Sequence, residues 1–377
     1  MSNAPLLSLI IPTRERADTL AFTLATAVLQ ASSGRDYEII VSDNLSADQT
    51  KEVAEGLDDP RIRYVNTGRR LSMCGNYEFA LSHARGDYVL IIGDDDAVVP
   101  GAIDSLLTLL RTHQEPQICR WPLHTYDWPI DDRPGRVAYL APTYPQKTID
   151  LRQMALFVIR NGGWRYYDLP SPYHAAIPRR LLDELRSRTG LVFHSTQPDV
   201  FTAMALPALA DHAIDVGFTI SFNGRSSRSN GLGFARKSAV SNIDRFLSEY
   251  VDYHLHPTLF PGAPGAANMI PDAILLARDL FPELYGGTTF NYDAMWAFSC
   301  RHRFISHLDV LSRSGEIRGY HPFHVMRFLY FSALQEGAVV RRKILDTLNA
   351  RKLDGAATDN ILEFAKTLAG ASRLGSN

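Results

Sequence analysis

The sequence predicts an α/β fold, a mainly parallel sheet flanked by helices, followed by a helical C-terminal region. Three observations carry this expectation. Short apolar runs alternate with segments of helical periodicity through roughly the first hundred residues. The runs are continuous in Ile, Leu and Val, as in strands covered on both faces. From about Val240 onward the pattern is helical. With 377 residues, 45% of them hydrophobic and 21% charged, the chain is long enough for one large domain with an appendage. A formal charge of −2 gives no global reason to expect nucleic acid as a partner.

The elements follow in order. Leu6 to Pro12 is an apolar run stopped by proline and reads as a buried strand. Leu20, Leu24 and Val28 recur at helical spacing, with Asp18 and Thr19 as capping candidates. Tyr37 to Ser42 is the second strand and Ser46 to Leu57 the second helix. Arg61 to Asn66 is the third strand, and Asn76 to Arg85 a helix that ends at Gly86. Tyr88 to Ile92 is the fourth strand, and Pro100 to His113 a helix with proline at its start. Beyond His113 the rhythm breaks. Ile118 to Trp121 reads as a strand, Pro122 to Pro145 as loop or hairpin, Leu151 to Asn161 as a helix, and Pro172 to Pro178 as a strand leading into a helix from Arg179. Pro198 opens another helix, Ile214 to Phe222 alternates as one strand, and Gly224 to Lys237 is a basic loop. The tail past Gly370 reads as unordered.

Alternation of this kind implies right-handed crossovers, and ligands then bind beyond the carboxyl ends of the strands. Four groups should therefore converge: Thr13-Arg14-Glu15, Asp43-Asn44, Thr67-Gly68-Arg69-Arg70 and Asp94-Asp95-Asp96. Two carboxylates about 4 Å apart repel by roughly 4 kcal/mol at an effective dielectric near 20. A cation or a donor-rich ligand offsets that cost, and hard ions such as Mg or Mn take one or two carboxylates plus substrate phosphates. A solvated acidic turn is the alternative, and the position after a buried strand argues against it.

Several stretches resemble glycosyltransferase family 2, inverting enzymes of GT-A fold. They are Ser8 to Arg14 (SLIIPTR), Glu38 to Ser46 (EIIVSDNLS) with Asp48 and Thr50, Ala84 to Tyr88 (ARGDY), and Gly93 to Asp96 (GDDD) with Pro100 behind it. Leu71 to Glu78 (LSMCGNYE), which holds Asn76, resembles a subgroup of the same family. The resemblance implies a GT-A domain over 1–238, with a donor-binding half of about 1–115 and an acceptor half of about 116–238, and a mostly helical region over 239–377. It implies that Pro12, Thr13, Arg14 and Glu15 line a nucleotide-sugar pocket with Asp43, Asn44, Arg69 and Asn76. Asp94 would meet the ribose, and Asp95 and Asp96 would hold Mn or Mg on the donor diphosphate, the register being open by one residue. The resemblance favours a UDP-sugar, but many relatives carry a second aspartate where Asn44 stands, and this departure leaves the identity of the base open.

Transfer also needs a base for the acceptor hydroxyl. The candidates are Asp168, Asp183, Glu184, Asp199, Asp211 and Asp215. Asp199 follows Pro198 in the first turn of a helix, where the dipole favours a charged carboxylate, and the resemblance makes it the expected general base. Arg225 and Arg228, in the basic loop, are candidates to clamp the diphosphate. Trp164, Tyr166, Tyr167, Tyr173 and His174 form an aromatic cluster that suits either a sugar ring or a core.

The resemblance implies a carbohydrate, lipid-linked or other hydroxyl acceptor. The C-terminal helices are expected to shape its cleft, form a homodimer interface or dock at a membrane surface. Neither a leader nor a spanning run is read, and scattered Cys74, Cys119 and Cys300 suggest no disulfide framework, so the expected location is cytoplasmic, with room for peripheral membrane attachment. Two other functions compete: a nucleotidyltransferase, which would want a glycine-rich loop with a lysine after the first strand, and a non-catalytic nucleotide- or glycan-binding relative, which would be expected to have lost acids.

Overall fold

The computed structural model describes residues 4–32, 36–113, 115–130, 132–228, 245–251, 253–259, 265–302, 305–306, 308, 310, 326–338, 340 and 360–374. Its first part is a regular alternation: β1 (Leu7–Thr13), α1 (Ala17–Ala27), β2 (Tyr37–Asp43), α2 (Thr50–Glu55), β3 (Ile62–Asn66), α3 (Met73–His83) and β4 (Tyr88–Ile91). It continues with β5 (Ala97–Val98), α4 (Ala102–Thr112), β6 (Cys119–Arg120), β7 (His124–Asp127), β8 (Arg136–Tyr139), β9 (Lys147–Asp150) and α5 (Leu151–Arg160). Then come β10 (Ala175–Pro178), α6 (Arg179–Thr189), α7 (Pro198–Ala205), β11 (His212–Asp215), β12 (Ser221–Arg225), α8 (Gly265–Leu280), α9 (Pro282–Tyr285) and α10 (Tyr292–Arg301). A further helix, Ile361–Leu374, runs past Gly370, where the sequence suggested no order.

The main sheet has eight strands in the order β3-β2-β1-β4-β10-β6-β11-β9. The first four are mutually parallel, as expected. Alternate residues of β1 face opposite ways: Leu7, Leu9 and Ile11 pack with Leu20 and Leu24 of α1 and Ile103 and Leu106 of α4, while Ile10 packs toward α3, α7 and α8. This two-residue period buries both faces. The second face also takes Ile274 of α8 and Trp296 and Phe298 of α10, so these C-terminal helices share a core with the strands.

The order 3-2-1-4 puts a switch point between β1 and β4, the place where open α/β sheets bind ligands. A second sheet, β5-β12-β7-β8, stands beside it and includes a hairpin from the Pro122 to Pro145 stretch. The run Ile214 to Phe222 is not one strand. It breaks after Asp215, and its two parts join different sheets. Gly217 makes the break with φ of 78°, and a Cβ there would lie 1.9 Å from the Tyr144 carbonyl oxygen.

At the opposite end of the sheet a buried node fixes the register. Glu38 accepts from Ser8 Oγ at 2.7 Å, from the Arg85 amide at 2.7 Å and from Arg85 Nη2 at 2.8 Å. Ser8 Oγ in turn accepts from the Gly86 amide at 2.8 Å. Burial pushes the Glu38 carboxyl up, but these donors outweigh it and hold its pKa below the ordinary value. A lowered folded-state pKa contributes stability that is present above the unfolded pKa and lost as pH falls through the folded one. Glu38→Gln should therefore cost about 1–3 kcal/mol at neutral pH, and the gap from wild type should narrow in urea melts run below the ordinary glutamate pKa of 4.5.

Candidate donor-binding site

The loops after β1 and β4 meet at the switch point. Thr13 Oγ1 donates to Asp94 Oδ2 at 2.8 Å. Arg16, the residue capping α1, reaches the same carboxylate with Nη1 2.8 Å from Oδ1, and the same nitrogen stands 3.4 Å from Asp95 Oδ2. Thr23 on α1 sets its hydroxyl 2.9 Å from the carbonyl oxygen of Asp94 and 2.7 Å from that of Asp96. The acidic run is thereby pinned to the helix that follows the first strand.

The three aspartates face different ways. Asp94 and Asp95 look toward Arg16. Asp96 turns inward and is fully buried. Its Oδ1 accepts from the Gly224 amide at 2.8 Å, and its Oδ2 from the Gly93 amide at 2.5 Å and Tyr173 OH at 2.9 Å. His174 Nε2 lies 3.1 Å from Oδ2, close enough for an ion pair but poorly aligned for a hydrogen bond. Burial alone would raise the Asp96 carboxyl; His174 and the two amides prevail and lower its pKa. His174 is itself held in a left-handed conformation, with φ of 61°. Its Nδ1 meets Ser221 Oγ at 2.8 Å, and that oxygen accepts from Trp121 Nε1 at 2.9 Å.

Asp95 is covered by the chain leaving β12. Its Oδ2 accepts from Ser226 Oγ at 2.6 Å and from the Ser226 amide at 3.2 Å, and its carbonyl oxygen from Trp128 Nε1 at 2.8 Å. Burial, then the charges of Asp96 and Asp94, push its carboxyl up to about 6. β12 comes this close because residue 224 is glycine: a Cβ there would sit 1.6 Å from the Asp95 carbonyl oxygen.

The remaining donor-pocket candidates divide into two sets. Asp43, Asn44 and Asn76 are buried and engaged by the protein. Asp43 accepts from Tyr64 OH at 2.6 Å, Asn66 Nδ2 at 2.9 Å and the Ser46 amide at 2.9 Å. Asn44 pairs both ends of its amide with the backbone of Leu71, at 2.7 and 2.9 Å. Asn76 accepts from Ser42 Oγ at 2.7 Å. Pro12 and Glu15 are half-buried and Arg69 is exposed; Glu15 accepts from the Ala47 amide at 3.0 Å. Arg14 Nη1 lies 2.8 Å from Glu249, a residue from the C-terminal region. Of the basic loop, residues 229–237 lie outside the described set. Arg225 pairs with Asp127 at 2.5 Å, away from the acidic run, while Arg228 reaches Asp18 and the Glu15 carbonyl at the mouth of the site.

Asp199 lies in the first turn of α7 behind Pro198, as expected, and is half-buried. Burial raises its pKa, opposed by backbone amides and by His174. Burial raises the Tyr77 hydroxyl on α3 well above the ordinary value, and the charges of Asp199, Asp96 and Asp94 add to that. Most other candidate bases are held in ion pairs: Asp215 with Arg120 at 2.6 Å, Asp211 with Arg152 at 3.1 Å, and Asp168 with Arg165. In the aromatic cluster Tyr173 serves Asp96 and Tyr166 packs edge-on to Phe298, while Tyr167 is exposed. Four residues that touch these candidates do not stand out in the sequence: Arg16, His174 as the Asp96 partner, Ser226 and Glu249. Arg16 was within reach, one residue beyond the post-strand triplet; the other three depend on distant segments.

Residues 8–168 match the model of the family described as Glycosyl transferase family 2. The chain is 38% identical over 106 residues to the GalNAc(5)-diNAcBac-PP-undecaprenol beta-1,3-glucosyltransferase of Campylobacter jejuni, covering 27% of this chain and 34% of that protein. It is 32% identical over 118 residues to the abequosyltransferase RfbV of Salmonella typhimurium, covering 30% of this chain and 35% of that protein. The match thus spans about a third of the length of these relatives. The structure of S. aureus TarS 1-349 in complex with UDP-GlcNAc aligns with a TM-score of 0.51 at 12% identity, over 84% of this chain and 93% of that one. That likeness shows a shared fold of GT-A type. Among the described residues no helix is long and apolar enough to cross a membrane.

Because Asp96 is saturated by protein donors, Asp96→Asn sets an amide N–H against the N–H groups of Gly93 or Gly224. Denaturant melts should show a loss of about 1–3 kcal/mol in the absence of any ligand. An unchanged midpoint would show that those donors do not depend on the charge.

Proposed function

We propose that this chain, whose residues 8–168 belong to glycosyl transferase family 2, moves a sugar from a nucleotide-sugar donor to an acceptor hydroxyl with inversion. The observation that carries the reading is the pair of carboxylates, Asp94 and Asp95, sharing one cation position at the β1–β4 switch point. Oxygen ligands of this kind fit Mn or Mg. The sequence reading gave the metal to Asp95 and Asp96. The inward, saturated carboxylate of Asp96 favours Asp94 with Asp95 as ligands and Asp96 as the anchor that orients them. When bound, such an ion supplies Lewis-acid stabilisation of the charge developing on the leaving diphosphate.

Pro12, Thr13, Arg14 and Arg69 would line the nucleotide side. Asp43, Asn44 and Asn76, with their hydrogen bonds already made, would shape that side rather than read the base. Arg228 is the better placed of the two loop arginines to meet phosphates. In the transfer step the acceptor oxygen bonds to the anomeric carbon, the bond from that carbon to the diphosphate breaks, and the acceptor proton passes to Asp199. A carboxyl with a raised pKa is the stronger base for this task.

UDP-sugars are the first donors to test, since TarS of similar fold has been seen with UDP-GlcNAc. A lipid-linked or polysaccharide acceptor, met at a membrane surface, agrees with the undecaprenol-linked substrate named for the Campylobacter relative. A thermal-shift screen of nucleotide sugars with and without Mn would identify the donor. Asp199→Asn should leave donor binding in that screen unchanged and lower transfer by about 100-fold or more. In the wild type the acid limb of kcat/KM should lie above the ordinary aspartate value of 3.8. Normal turnover by Asp199→Asn would remove it as the base.

A further inference from the structure

We propose that Arg16 is the resident cation of the Asp94–Asp95 site, exchanging with the donor metal and releasing the segment Ser226–Arg228 as it leaves. The inference rests on the assignment of Asp94 and Asp95 as the metal ligands. Both carboxylates are only 5% exposed and sit side by side. Without a cation they repel in a medium that screens poorly. Arg16 Nη1 lies 2.8 Å from one and 3.4 Å from the other, on a side chain 14% exposed. A guanidinium keeps its charge at any physiological pH, so it neutralises the pair whenever nothing else does. It occupies Oδ1 of Asp94 and Oδ2 of Asp95, so a cation held by the same two carboxylates would have to displace it. The two occupants therefore compete.

The second nitrogen of the same guanidinium turns the competition into a latch. Arg16 Nη2 donates to the Arg228 carbonyl, and Arg228 Nη1 returns a bond to the Glu15 carbonyl at 2.8 Å. Ser226 closes on Asp95 Oδ2 with both its hydroxyl and its amide. One side chain thus holds the acidic run with one nitrogen and the chain leaving β12 with the other. Departure of Arg16 breaks both contacts together, so metal entry and release of this segment become one event. Apparent metal affinity is lowered by the fraction of molecules in which Arg16 fills the site.

The test measures Mn binding to the full chain by electron paramagnetic resonance, with hydrogen exchange at the Ser226 amide as the second readout. Arg16→Gln should bind Mn at least about tenfold more tightly than wild type. Ser226 should exchange slowly in metal-free wild type, faster with Mn, and fast in Arg16→Gln with or without it. Arg16→Lys, which keeps the charge but loses the second nitrogen, should bind Mn near the wild-type level with Ser226 already fast. This variant carries the test should the glutamine variant fail to fold. Adding Asp95→Asn should abolish tight binding in every background. Binding that depends on Asp95 but is equal or weaker in Arg16→Gln overturns the exchange and leaves the metal site standing. Binding indifferent to Asp95→Asn overturns the site assignment and the exchange with it.

Discussion

The carboxylate of Asp96 is shut away from water, and donors from three separate segments take water's place. Gly93 comes from the end of β4, Gly224 from β12, and Tyr173 with His174 from the approach to β10. A buried carboxylate left short of donors is costly. Satisfying this one draws the second sheet against the first. It also turns the backbone at the end of β4 so that Asp94 and Asp95 project toward α1. The place that the Arg16 guanidinium takes beside them follows from how their neighbour is held.

The first four strands and the helices between them were largely legible in the sequence. β1 to β4 are short, apolar and followed by polar residues, and helical periodicity separates them, so their succession and the meeting of the loops after β1 and β4 follow from pattern alone. The second sheet was not legible. β5 has two residues and β7 and β8 have four each, too few for a period to show. One glycine at 217 divides what alternation presents as a single strand. At the acidic run the sequence leaves the register open by one residue, and only the placement of Gly224 and His174, far along the chain, tells which aspartate points inward. Likewise Asp43 and Asn44 stand where a ligand-reading pair is expected, yet their partners are Tyr64, Asn66 and Leu71.

The C-terminal helices do more than pad the fold. Asp272 of α8 accepts from Ser195 Oγ at 2.7 Å and from the His256 amide at 2.8 Å. Ser195, itself at φ of 61°, begins the short approach to Pro198 and Asp199. The turn that leads to Asp199 is thus tied to a helix that begins at Gly265, and Glu249 reaches back to Arg14 in the loop after β1. Both loops depend on sequence that carries no motif of its own.

The contact between Gly224 and the Asp95 carbonyl bears on how this protein can be recombined with others. No side chain fits between the two backbones. A chimera that takes its acidic run from one parent and its β12 from another inherits that fit only if the partner strand also brings glycine to this position. The two segments, about 130 residues apart, behave as one exchangeable part, and a crossover placed between them is where hybrid chains of this architecture would be lost.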